Sequence, residues 1–126
     1  YPCLRAVVVG HSHGAVTGDV VSSHLEGEYG DRFIVVVDLD RVDELYTGDT
    51  QSRPTQVPVF NVFETNDPAL SGAPYDAANA ENWDASGEQG PEHGDEGGAL
   101  KPVNHTTIDN SKSVRDRIVA EVMERS

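Results

Sequence analysis

The chain has 126 residues, enough for one domain and one core. Nine Lys and Arg against 22 Asp and Glu leave a net charge of −13, and Lys101 and Lys112 are the only lysines. So acidic a surface repels phosphate backbones and anionic lipid, which excludes nucleic acid and a polybasic membrane contact as partners; with so few lysines it looks like adaptation to salt or a high-GC bacterial source. A lone cysteine, Cys3, excludes an intrachain disulfide and a thiolate metal cluster. No run approaches the ~20 apolar residues that a membrane-spanning helix needs. The N-terminus lacks the basic-then-apolar profile of a signal peptide, and the compartment stays open.

Large apolar side chains concentrate in residues 4–63 and 100–123. Leu4 to Val9 is a β-branched run ending at Gly10 and reads as a buried strand of a parallel sheet. Residues 14–28 follow as a helix on that sheet, with Val16, Val20, Val21, His24 and Leu25 at helical spacings and Gly27 and Gly30 bracketing its end. Arg32 to Val37 is a second strand that ends in Asp38-Leu39-Asp40. Residues 41–56 read as a loop with a turn of helix at 42–46, and Val57 to Phe63 as a third strand with Pro58 near its start. Thr65-Asn66-Asp67-Pro68 closes it as a turn.

Residues 68–99 are rich in Gly, Ala, Asp, Glu and Asn and lack the periodicity of a core element. They read as a long acidic loop or flap within a single domain spanning 1–126, of a length usually reserved for function. Leu100 to Val103 is expected as a short last strand. A helix closes the chain from Ser111 to Arg125, with a Val114, Ile118, Val122 stripe and a capping box from Ser113 to Asp116. Strand–helix alternation gives an α/β fold: a mostly parallel sheet with flanking helices.

One motif carries chemistry. Gly10-His11-Ser12-His13-Gly14 is G-x-S-x-G, directly after a strand and directly before a helix. That context fits a strained turn that lifts a serine hydroxyl above the sheet edge, with the helix N-terminus adding positive potential where an oxyanion forms. Ser12 is the candidate nucleophile, and the His13 backbone N–H the first oxyanion donor. A serine nucleophile needs a base. His11 and His13 flank Ser12 and point away from its Oγ; His24 lies in the helix and His93 in the acidic loop. His105 follows the last strand, where the order serine, acid, histidine puts its base. Two acids stand at strand ends on the same rim: Asp40 is preferred, with Asp67 as the alternative, and Asp38 belongs to the strand interior.

These pieces resemble the α/β-hydrolase superfamily, particularly its lipase and esterase branch. Those that match are Val7 to Ala15, Val37-Asp38-Leu39-Asp40, Phe60 to Glu64 and His105 to Asp109. Leu39-Asp40-Arg41 is similar to the Leu-Asp-Pro of some lipase-like members, without the proline. The resemblance implies the C-terminal half of such a hydrolase, a carboxylic ester or lipid ester as substrate, no cofactor and no metal. Such hydrolases place several strands before the serine turn, whereas nine residues precede Gly10 here. Self-association, as a homo-oligomer, or completion by a missing N-terminal segment is therefore expected. Tyr75 and Trp83 are candidate substrate-pocket residues.

Two alternatives belong to other classes. The strand followed by Gly-His-Ser-His resembles the last metal motif of calcineurin-like metallophosphoesterases, with His11 and His13 as ligands and Ser12 a spacer; that family's Asp-x-His and Asn-His-Asp motifs do not occur here. The other is a hydrolase-like module that binds without catalysis. Calcium at Asp84, Glu92, Asp95 or Glu96 matches no EF-hand spacing, and a solvated acidic loop is the better reading there.

Overall fold

In a computed structural model, which describes residues 4–42, 52–92 and 97–126, the chain forms an α/β fold. A parallel sheet of four strands runs β1 (Ala6–His11), β2 (Phe33–Leu39), β3 (Val59–Phe63), β4 (Ala80–Asp84), in that spatial order. Helix α1 (His13–Tyr29) joins β1 to β2, and α2 (Lys112–Arg125) closes the chain. The turn of helix expected at 42–46 lies almost wholly outside the described residues.

The strand signals were β-branched runs buried on both faces, and β2 and β3 sit at the sheet centre accordingly. Val35, Val37, Leu39, Phe60 and Val62 face one way and form a core with Ile108 and Val114, against which Ile118 and Val122 of α2 pack. Val36 and Val59 face the other way, with Ala6 and Val8 beside them. On that side α1 comes close enough that a methyl group on Gly18 would lie 3.1 Å from Val8 Cγ1.

Three elements differ from the sequence reading. Residues 80–84, read as part of the acidic loop, are β4, paired in parallel with β3. Their side chains are mostly exposed because β4 is an edge strand, so the hydrophobic signal is weak there. The expected last strand at 100–103 shrinks to β6 (Lys101–Pro102), antiparallel to β5 (Gln89–Gly90) in a separate two-stranded pair. Finally, Ser111 caps α2, not Ser113: its backbone is extended and its Oγ accepts the Val114 amide at 3.4 Å.

The inner face of α1 is also not the expected valine stripe. It buries Ala15, Val16, Asp19 and Ser22, while Val21 and Leu25 are exposed. Asp19 can be buried because Arg41 meets it at 2.7 Å and because Asp38 of β2 lies within hydrogen-bonding reach of it.

Candidate active site

In a parallel sheet the strand C-termini share one rim, and the sequence-predicted residues gather there. Ser12 lies between β1 and α1 with φ 60° and ψ −122°, a left-handed conformation that costs a serine of order 1–3 kcal/mol. The turn is clamped from both sides: the Ser12 amide donates to Leu39 O at 3.0 Å, and Ser12 O accepts the Ala15 amide at 3.2 Å. Gly10 is required by close approach, since a Cβ there would be driven into the Gly14 carbonyl. Gly14, by contrast, would accept a Cβ in open space.

Asp40 ends β2 in the second left-handed turn, φ 47°. Alternation alone would put Asp38 and Asp40 on one face. The turn swings Asp40 to the rim and leaves Asp38 under α1. Asp40 is fully buried, and its Oδ1 accepts the amides of Gly72 at 2.6 Å and Glu64 at 3.3 Å. Gly72 must be glycine for this, because a Cβ would stand 2.7 Å from that oxygen.

His105 follows Val103 on a turn locked by its neighbours. Asn104 Oδ1 accepts the Thr106 and Thr107 amides, and the Asn104 amide donates to Thr107 Oγ1. The His105 ring is nearly buried and bridges the other two residues: Nδ1 lies 2.7 Å from Asp40 Oδ2 and Nε2 2.8 Å from Ser12 Oγ. An Nδ1–H donating to the carboxylate leaves Nε2 as the acceptor for the serine hydroxyl. The structure thus brings Ser12, His105 and Asp40 into one hydrogen-bonded chain.

Asp67, the alternative acid, is elsewhere employed. Its carboxylate accepts the amides of Ala69 and Leu70 at 2.9 Å each, and these bonds hold it below its usual range. His105 nearby acts on it in the same direction, but the imidazole Nδ1 is bonded to Asp40. His13 opens α1, where its backbone N–H faces the helix N-terminus.

Tyr75 and Trp83 are not brought to Ser12. Trp83 stands in β4, three strands from β1 and so about 14 Å away at ordinary strand spacing. It stacks on Phe60 under α2, with the Arg117 guanidinium 4.9 Å from its ring centroid. Tyr75 is tied to Asn82 of β4 through its amide and carbonyl and lies under Arg53 at 4.1 Å. Both rings fasten the 68–84 segment to the body.

Sequence reasoning missed three contributors. His11 donates from Nε2 to the His105 carbonyl at 2.8 Å, its ring 5.2 Å from that of His105 and its Nδ1 4.0 Å from Asp109. Gly72 cradles Asp40, as above. Glu64, at the end of β3, is buried beside Asp40. The only sequence signal for Glu64 was an acid directly after an apolar strand.

Among the described residues, one group has metal-like spacing: Asp40, Glu64 and His105 offer donor atoms within 4.8 Å of one another. Ligands on a zinc ion at ~2.0–2.2 Å bonds stand farther apart than the 2.7 Å between Nδ1 and Oδ2, so this arrangement is a direct hydrogen bond. No such group includes His11 or His13. Of the acids weighed for calcium, Asp84 holds Ser86 and Glu92 pairs with Lys101 at 3.6 Å; Asp95 and Glu96, like His93, lie outside the described residues. Comparisons with protein-family models, curated proteins and solved structures found no match.

Proposed function

We propose that the chain is a serine hydrolase that cleaves carboxylic esters by acyl transfer to water. The observation that carries this reading is the unbroken path from Ser12 Oγ through the His105 imidazole to Asp40, 2.8 and 2.7 Å long, starting at a strained strand-to-helix turn.

Ser12 Oγ attacks the ester carbonyl while His105 Nε2 takes its proton. The Asp40 carboxylate, held by the Gly72 and Glu64 amides, fixes the imidazole tautomer and stabilises the imidazolium. The oxyanion forms at the N-terminus of α1, where the His13 N–H donates and the helix dipole adds positive potential. His105 returns the proton to the leaving alkoxide, then activates water to hydrolyse the acyl-serine. A short-chain or lipid ester fits this chemistry. The chain works as a self-associated species, or with a further segment, on the side of β1, whose outer edge has no neighbouring strand among the described residues. Among the described residues no helix is long and apolar enough to cross a membrane.

The test is hydrolysis of short and long p-nitrophenyl esters by wild type and by Ser12→Ala, His105→Ala, Asp40→Asn and Asp67→Asn. Ser12→Ala and His105→Ala should abolish turnover, and Asp40→Asn should lower kcat by about 10⁴ through the wrong tautomer. Asp67→Asn should retain most of it. Equal activity in all five proteins contradicts the proposal.

A further inference from the structure

One buried group at the site is not used by the acyl-transfer chemistry. Glu64 is fully buried; its Oε2 accepts the amides of Asn66 at 2.6 Å and Asp67 at 2.9 Å. Its Oε1 is buried with no partner. The carboxyl lies within hydrogen-bonding reach of Asp40 and in the same 4.8 Å cluster as His105. Two bare carboxylates cannot share that space, because mutual repulsion and burial both disfavour a second charge. The surroundings decide which of the two keeps the proton. Asp40 receives N–H groups on both oxygens, including the imidazole, as an anion requires. Glu64 receives them on Oε2 only, and a proton on Oε1 turns an orphaned acceptor into a donor.

We propose that Glu64 is a positioning residue of the Ser12–His105–Asp40 chain: as the neutral acid it donates its proton to the Asp40 carboxylate and holds that carboxylate against His105 Nδ1. Its loss of that proton puts a second anion beneath the imidazole. The inference rests on the acyl-transfer reading for its catalytic meaning, not for its geometry. Burial pushes the Glu64 carboxyl up to about 7, with the charge of Asp40 acting in the same direction, so the switch falls near neutrality. The charged or titratable groups facing it are Asp40 from the end of β2 and His105 from the loop before α2, while Asp67 meets it through its backbone amide. His11 and Asp109 lie behind His105.

The experiment combines carboxyl ¹³C and imidazole ¹⁵N titrations with pH profiles of kcat and KM. In wild type the Glu64 carboxyl should titrate near neutrality, and Asp40→Asn should move it down by about one unit or more. Glu64→Gln, whose amide keeps a neutral donor on Asp40, should reduce the steps in the kcat profile from two to one, the one that remains belonging to the general base. Glu64→Leu should lower kcat with KM unchanged, and Glu64→Gln should rescue part of that loss. A wild-type Glu64 carboxyl titrating in the ordinary range of about 4.3, or one indifferent to Asp40→Asn, overturns the proposal without any variant of Glu64 having to fold. If wild type hydrolyses no ester, the acyl-transfer reading fails while the NMR arms still decide the Glu64–Asp40 contact.

Discussion

At the scale of single residues, the site is built from positions that violate ordinary preferences. Ser12 and Asp40 are the non-glycine residues with positive φ among those described, and the one is linked to the other through His105. Strain concentrated in this way marks function more often than accident. It also has a thermodynamic signature. At φ 60° a Cβ is unwelcome, so Ser12→Gly should be more stable than Ser12→Ala by about 1 kcal/mol, the reverse of their order in a regular helix. Urea unfolding of the two variants checks this; alanine proving the more stable would remove the strain argument. Ser12 and His105 were legible in the sequence because their motif and chain order have a fixed geometric meaning. Glu64 and Gly72 were not, because their roles arise only where β2, β3 and the loop after β3 converge on Asp40.

At the scale of elements, the packing of α1 on β2 departs from what hydropathy predicts. The contact holds Asp19, Ser22 and Asp38, all fully buried. Asp19 Oδ1 and both oxygens of Asp38 lack partners unless the two acids share a proton. Burial pushes the Asp38 carboxyl up to about 9, with the neighbouring Asp19 adding to it and Arg53 and Arg41 opposing. The folded chain therefore keeps a proton that the unfolded chain releases near its ordinary value of 3.8. This contribution to stability is fully present below that value and is lost as pH rises through about 9. Asp38→Asn keeps the donor without the charge. Its stability advantage over wild type should grow between about pH 5 and pH 9, as read by urea midpoints; parallel curves would show that Asp38 is already charged. The valine spacing of α1 pointed to a helix correctly but to the wrong face. An acid buried beside Arg41 leaves no trace in a hydrophobic pattern. The edge strand β4 was missed for the converse reason: a solvated strand need not be hydrophobic.

At the scale of the molecule, apolar surface is unevenly covered. Helix α2 lies over the sheet centre, leaving Val7 and Val9 of β1 exposed, and Leu4, Val21, Leu25 and Tyr29 are exposed as well. They border a strand edge that no described residue pairs with, in a chain of net charge −13. A second copy pairing through β1 would satisfy those backbone groups and cover Val9. Light scattering after gel filtration should give a mass above 13.6 kDa in salt that screens the like charges, and Val9→Lys should return it to the monomer. A monomer under all conditions contradicts pairing between copies.

Ester cleavage as proposed requires Ser12 Oγ to be a nucleophile activated by His105. Labelling with a fluorophosphonate, followed by peptide mapping, reads this directly. The predicted result is one stoichiometric adduct on Ser12 in wild type, absent in Ser12→Ala and lost or greatly slowed in His105→Ala. An unlabelled wild type, or an adduct that forms equally well without His105, would contradict it.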